Sequence, residues 1–350
     1  MAQTTRYAGV LAKMGAERSQ LISESKLKTL MEAKNLNDFA AQLHETSYQQ
    51  QIAKVPLPLT SRKLERAFTE NQIETYIKII KYSPKKTAAF LGLYLLRFEV
   101  ENIKALIKAA NIKLNFEQKI SKIYFPAETF LKHRAFIEGA AKAPDLIQTV
   151  NALTDTEYAS ALKMGLGSYE ETGSTACLDV LLDKHFYEKL YDAYQRLPKK
   201  EKPHSHYYVS MEIDGFVLLT LLRGKNLHYD PNWLRLAVPS KKFSLPDETV
   251  EAIVTAPDFD SALKIILESP YAQYFVGAQS SEETVANAEK AFRKALFMHA
   301  KESRFTEIFN IGAVRVFMAQ NEAEVHNLTA ASLGVEANLK PEDIQCQLLL

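Results

Sequence analysis

The sequence predicts an all-α protein. Three observations carry that expectation: apolar residues recur at helical spacing, only 12 glycines serve 350 residues, and the 13 prolines fall mostly between the helical patterns. Apolar side chains at i, i+3, i+4 and i+7 make one buried stripe on a helix, whereas a strand alternates with period two. A β-rich chain with many tight turns needs more glycine than this one has. Proline lacks an N–H and clashes with the preceding helical turn, so prolines between the stripes read as helix stops.

Taken in order, Tyr7, Val10, Leu11 and Met14 form the first stripe. Leu36 to Leu43 then run into Thr46-x-Tyr48, and Pro56 and Pro58 close that segment. Glu65-Arg66-x-Phe68 lies between there and Pro84, and Glu99 opens a stripe continued by Ile103, Leu106, Ile107 and Ala110. After Pro126 and Pro144, Leu146 and Leu153 lead into Thr156-x-Tyr158. Gly165–Ser174 reads as a flexible inter-helix loop, and Asp183-Lys184-x-Phe186 starts an aromatic stripe continued by Tyr187, Leu190, Tyr191 and Tyr194. Core packing is the default for such a stripe. Past Pro198 and Pro203, Tyr208–Ile213 offers the best strand-like alternation, ahead of Asp214, Val217 and Leu218. Following Pro231, Pro239 and Pro257, Phe259 and Ile266 lead into Ser269-Pro270-Tyr271, then Glu289-Lys290-x-Phe292 and Glu324-x-x-Asn327-Leu328. Beyond Pro341, Ile344, Leu348 and Leu349 supply an apolar face expected to dock rather than dangle.

That pass contains a repeat. Three small signatures recur in the same order: Thr/Ser-x-Tyr ending an apolar helix, acid-base-x-Phe, and acid followed at i+3 and i+4 by Asn-apolar, with Val217-Leu218 in the middle copy. Successive tyrosines lie 110 and 113 residues apart, and successive acids of the third signature 115 and 110. Two copies also share Ala-Pro-Asp, at 143–145 and 256–258. The expected organisation is therefore a helical unit used three times, with approximate bounds 1–113, 114–226 and 227–350. The short solenoids repeat at about 34 to 47 residues, so they are excluded. Length alone predicts two or three compact units.

Composition narrows the function classes. With 43 Lys+Arg against 42 Asp+Glu, the net charge is +1, which argues against a nucleic-acid partner. The longest apolar runs, near 88–96 and 216–222, fall well short of the roughly 20 residues that span a bilayer. Lys13, Glu17 and Arg18 interrupt any apolar leader, so no signal peptide is expected. Cys177 and Cys346 have neither metal-ligand nor redox spacing, which fits a reducing cytoplasm.

Motifs that could carry chemistry are sparse. His204-x-His206 has the best metal-like spacing, but no further ligands complete a set, and it reads as a polar loop pair. Gly165-x-Gly167 with Gly173 lacks the Lys-Ser/Thr of a phosphate loop. No G-x-S-x-G is present, and Cys177 sits in an apolar context that suits an inert thiol. Glu99, Asp214 and Glu324 recur once per unit, which one active site would not demand. A structural role is expected for them: satisfying helix-end donors, or pairing with Arg97, Arg223 or a neighbouring helix. Lys85-Lys86 and Lys199-Lys200 read as solvated loops, with contact to an acidic partner or anionic surface as the alternative. No catalytic, cofactor-binding or metal-binding residue and no cofactor is assigned.

These signatures resemble a known family over essentially the whole chain: the C subunit of archaeal and bacterial A/V-type rotary ATPases, counterpart of the d subunit of the eukaryotic V-ATPase. The residues that carry the resemblance are Leu43-x-x-Thr46-x-Tyr48, Glu99-x-x-Asn102-Ile103-Lys104, Asp214 through Leu221-Leu222-Arg223, Val238-Pro239, and Ser269-Pro270-Tyr271. Most specific is Glu322-x-Glu324-x-x-Asn327-Leu328 with the tail Glu342–Leu349. Asn321 stands where family members usually have Lys, Thr329 where they have Arg, and Val217 where the pattern has Asn.

The resemblance implies three similar helical subdomains around a pseudo-threefold axis in a funnel-like body. It also implies a non-catalytic central-stalk rotor subunit, peripheral on the cytoplasmic side of the cell membrane. One end would seat on the membrane proteolipid (c/K) ring and the other receive central-stalk subunits D and F, coupling ATP synthesis or hydrolysis to proton (or sodium) translocation. Two other readings stand beside it: a generic helical scaffold unrelated to an ATPase, and a metal-dependent enzyme using His204 and His206.

Overall fold

The computed structural model describes residues 2–275 and 279–350. Every regular element among them is a helix. In chain order these are α1 (Ala2–Arg18), α2 (Glu24–Met31), α3 (Leu36–Gln42), α4 (Gln49–Ile52) and α5 (Ser61–Tyr82). Next come α6 (Lys85–Leu91), α7 (Leu93–Asn111), α8 (Phe116–Ile120), α9 (Phe125–Leu131) and α10 (Arg134–Ala141). Then follow α11 (Leu146–Asn151), α12 (Ala159–Thr172), α13 (Ala176–Gln195), α14 (Lys202–Asn226) and α15 (Pro231–Ala237). The chain finishes with α16 (Asp247–Thr255), α17 (Phe259–Leu267), a 3₁₀ turn at Ala272–Tyr274, α18 (Ser281–Ser303), α19 (Ile311–Glu336) and α20 (Pro341–Gln345). The all-α class is as the apolar spacing predicts.

Two local expectations are corrected. Tyr208–Ile213 belongs to α14. Tyr208, Val209, Met211 and Ile213 are all buried, and burial on several faces imitates alternation over a stretch this short. Residues 165–172 are helical rather than a loop, and only Gly173, at φ +70, caps α12 in the left-handed region. Gly165 is glycine because of close approach: a Cβ there would sit 2.7 Å from Leu178 Cδ2 and 3.0 Å from its Cα. It lets α12 lie directly on α13.

The chain divides into two compact units, residues 1–88 with 293–350, and residues 89–292. In the first, α19 is the central element. Leu328, Ala331 and Val335 on α19 pack with Leu27 and Leu30 of α2, Phe39 of α3, Tyr48, Leu64 and Phe68 of α5, and Ile344 and Leu348 of the tail. The tail docks as expected: Ile344, Leu348 and Leu349 are buried. In the second unit, α7 packs against α10, α11 and α13, and α14 against α13, α15 and α17.

A similar set of parts occurs three times, the third divided between the two ends of the chain. A long helix (α7, α14, α19) is followed by a short one (α8, α15, α20). Two further short helices, the second capped by a side chain, come later in the first two sets (α10 and α11, α16 and α17), and α2 and α3 at the start of the chain take that place in the third. A tyrosine turn and a return helix (α13, α18, α5) complete the set. The second capped helix begins at Asp145, Asp258 or Asn35, each accepting backbone N–H bonds in its first turn. Such a side-chain oxygen satisfies donors that the helix leaves unpaired.

All three long helices end alike. Fourteen residues after Glu99, Asp214 and Glu324 stand Lys113, His228 and Asn338, at φ 56, 56 and 54. The next residue's N–H reaches back to Ala109, Gly224 or Gly334, at 2.9 Å each time. This left-handed cap satisfies the last carbonyls of a helix. It is the strongest sign that the three long helices share one register.

Candidate functional site

The three sequence signatures meet at one kind of site. Thr46, Thr156 and Ser269 each donate their hydroxyl to the carbonyl three residues back, at 2.6 Å in every case. Each of these oxygens then accepts the N–H of the tyrosine two residues on, at 3.2–3.3 Å. That turn explains why the pattern needs Thr or Ser at that spacing. It ends a helix and aims the tyrosine inward.

Each tyrosine hydroxyl donates to the acid of the third signature: Tyr48 to Glu324 Oε1 at 2.7 Å, Tyr158 to Glu99 Oε1 at 2.6 Å, and Tyr271 to Asp214 Oδ2 at 2.6 Å. The pairing runs one step round the linear order. Tyr158 and Tyr271 take the acid of the preceding expected unit, while Tyr48 takes that of the last. The residue bounds expected from sequence thus cut through each pair.

All six side chains are buried. Burial, then the adjoining carboxylate, pushes the Tyr48 and Tyr158 hydroxyls far up; burial and the bond to Asp214 do the same for Tyr271. They remain donors throughout the physiological range. At two of the sites the second signature supplies a lid: Phe68 meets the Tyr48 ring edge-on at 5.4 Å, and Phe292 lies 5.9 Å from Tyr271. At Tyr158 the neighbouring ring is that of His185, 5.1 Å away.

The carboxylates do not pair with Arg97 or Arg223, as one reading of the sequence expects. Arg223 instead binds Glu289. The second oxygen of each acid takes a different donor. Asp214 accepts the N–H of Phe243 at 2.9 Å and of Ser244 at 2.7 Å. Glu324 accepts the N–H of Ile22. Glu99 accepts from His133 Nδ1 at 2.6 Å. The structural role expected for these acids holds, with tyrosines and backbone as the partners.

Asn102 and Asn327 have matching tasks. Asn102 accepts the N–H of Tyr124 at 2.7 Å, and Asn327 accepts that of Leu349 at 2.7 Å, each partner 22 residues on. Each amide also donates to the same residue's carbonyl, at 3.4 and 3.0 Å. Such a clamp needs a backbone N–H at the far end. The residue at that spacing from Val217 is Pro239, which has none. A valine there leaves no buried amide unpaired.

Glu128 is a member that sequence reasoning misses. It lies in the first turn of α9, where an acid is ordinary, so nothing marks it. It is fully buried beside Glu99 and receives Asn102 Nδ2 at 2.6 Å. Burial, then the Glu99 charge, pushes its carboxyl up to about 8. Burial also raises Glu324 to about 7, against the Tyr48 and Ile22 bonds that pull it down.

A pH dependence follows, with a definite sign. Between the unfolded value of 4.5 and the folded value of about 7, the folded state holds a proton at Glu324 that the unfolded chain has released. Stability must therefore fall as pH rises through that window. Glu324→Gln is expected to flatten this part of the curve, measured by urea denaturation from pH 5 to 8. An unchanged slope would refute the assignment.

The other sequence candidates show no constellation. His204 and His206 sit near the start of α14 rather than in a loop. His206 Nδ1 lies 3.0 Å from the Tyr194 hydroxyl. Among the described residues no group of three or more His, Cys, Asp or Glu is arranged to hold a metal ion. Cys177 is buried, and burial raises its thiol pKa.

Comparison with known proteins gives one coherent result. A family model described as ATP synthase (C/AC39) subunit matches residues 10–347. The chain is similar to the A-type ATP synthase C subunit of Methanocaldococcus jannaschii, 25% identical over 347 residues, covering 98% of this chain and 86% of that protein. It is also similar to the C subunit of Methanothermobacter thermautotrophicus, 25% identical over 323 residues, with 91% and 80% covered. A third relative is the C subunit of Thermococcus kodakarensis, 24% identical over 347 residues, with 97% and 90% covered.

Proposed function

The chain belongs to the ATP synthase (C/AC39) subunit family, and on that premise we propose that it is a non-catalytic central-stalk subunit of an A/V-type rotary ATP synthase. In this reading it sits on the cytoplasmic face of the membrane, between the proteolipid ring and the stalk subunits D and F. It passes rotation between them, while the chemistry and the ion path lie in other subunits. The observation that carries the proposal is the family match across nearly the whole chain. Among the described residues no helix is long and apolar enough to cross a membrane, which suits a peripheral seat held by protein contacts.

Physical chemistry supports the coupling role. A part that carries torque must not shear internally, and close-packed helices deform little. Each tyrosine–carboxylate pair ties a turn to a long helix across a large sequence separation. Buried hydrogen bonds to charged groups are worth roughly 1.5–3 kcal/mol. We also propose that the recurrent set of parts makes three structural modules, phased from each acid to the tyrosine that binds it.

The test is purification and coupling. An affinity-tagged chain should bring down the ring and the stalk from native membranes in fixed stoichiometry. Deleting its gene should leave ATP hydrolysis by the soluble sector while abolishing ATP-driven ion uptake into vesicles. Full ion uptake without the chain would end the proposal.

A further inference from the structure

The cluster around Glu128 has no counterpart at the other two tyrosine–carboxylate sites. There the acid is satisfied by backbone N–H groups. Here two carboxyl groups, Glu99 on α7 and Glu128 on α9, are both fully buried and lie against each other. Glu99 has its donors, Tyr158 and His133. Glu128 takes Asn102 on Oε1, but its Oε2 is buried with no hydrogen-bond donor. Two carboxylates in contact, one with an orphaned oxygen, make a costly arrangement if both are charged. It becomes favourable when one proton lies between them.

We propose that Glu99 and Glu128 form a proton-operated clasp: sharing one proton, they fasten α9 and the His133 turn to α7, and losing it, they let that turn go. The clasp has a defined moving part. Lys132 ends α9 in the left-handed region at φ 66, and the His133 N–H bonds the Glu128 carbonyl at 2.9 Å. Side chain and backbone of Glu128 therefore hold the same turn. The clasp does not depend on the family assignment.

The neighbouring charges have other partners. From α7 the titratable group that faces Glu128 is Glu99, with Asn102 as a neutral donor. At the α10 end, His133 faces Glu99. Arg134 is committed to Glu138 at 2.7 Å and stacks on Phe125 of α9. Behind Tyr158 lies Glu157, paired with Lys189 at 2.5 Å and His185 at 3.5 Å. Among these groups Glu128 is the one whose ionisation would place a second charge against Glu99.

The test is hydrogen exchange on the full chain from pH 5 to pH 9, a range that runs from near the ordinary carboxyl value of 4.5 past the Glu128 value of about 8, corrected for intrinsic rates. Residues 125–137 should open about tenfold more per pH unit up to about pH 8 and level off above it, because below that value only the open turn has released the proton, while α14 stays protected. Glu128→Gln, which keeps a donor without a titrating proton, should abolish that rise. A flat profile in the wild type, or an equal rise in Glu128→Gln, would overturn the clasp. Should Glu128→Gln fail to fold, infrared spectroscopy decides. In Glu324→Gln, which removes the other glutamate that burial raises, a protonated-carboxyl band should be present at pH 7 and lost by pH 9. Its absence at pH 7 would overturn the proposal.

Discussion

Replacing Tyr158 by alanine is expected to destabilise the unit of residues 89–292 by about 3–5 kcal/mol from the lost aromatic alone. The loss of a donor to buried Glu99 adds roughly 1–3 kcal/mol. Tyr158→Phe separates the two contributions, since it keeps the ring and removes only the hydroxyl. The corresponding Tyr271→Phe should cost less. Asp214 keeps two backbone N–H bonds, from Phe243 and Ser244, whereas Glu99 has no backbone donor and keeps His133, on a side chain 38% exposed. Because a chain with two compact units need not unfold in one step, the measurement is urea denaturation combined with hydrogen exchange in α7 and α14. Equal losses for Tyr158→Phe and Tyr271→Phe would contradict the claim that the remaining donors set the cost.

The signatures that make the repeat visible are the ones with local causes. Thr46-x-Tyr48 and its two copies are legible because a hydroxyl, a carbonyl three residues back and an N–H two residues on lie within one turn. Helical periodicity is equally local, which is why the fold class can be read directly. The partner of each tyrosine cannot be read that way. Tyr48 and Glu324 are 276 residues apart, and no spacing rule links them. Sequence proximity instead suggests arginines as partners for the carboxylates, although Arg223 is held by Glu289. Gly165 misleads for a related reason. A glycine in a polar segment signals a loop when only neighbours are considered, whereas its cause is Leu178 on another helix.

The pairing of acids with tyrosines illustrates the same limit. A repeat fixes period but not phase, and any starting point along the repeating unit gives the same spacings. Three consecutive units begin most simply at the first residue. The hydrogen bonds instead join an acid to the tyrosine that follows it, and for Glu324 that tyrosine lies near the other end of the chain. The left-handed caps at Lys113, His228 and Asn338 are invisible in the sequence because the residues there are not glycine. Only the constant distance of each from its acid shows that they are equivalent.

The docked tail should be the most sensitive part of the unit formed by residues 1–88 and 293–350. Ile344 fills a slot on α19 that exists because residue 334 is glycine; a Cβ there would lie 2.4 Å from Ile344 Cγ1. Ile344→Ala is expected to cost about 2–5 kcal/mol. Ile344→Asp should exceed about 4 kcal/mol, since it buries an unpaired charge. Gly334→Val should expel the same side chain from the opposite side of the contact. Either change also withdraws Leu349 from Asn327, leaving a buried amide without its two backbone partners. Expulsion should appear as rapid exchange in α20 and new protease cleavage after residue 338. Because both substitutions break one contact, Gly334→Val combined with Ile344→Asp should cost much less than the sum of the two. Full additivity would mean that the tail and the α19 slot act independently, and the closure of this unit by its last ten residues would need another cause.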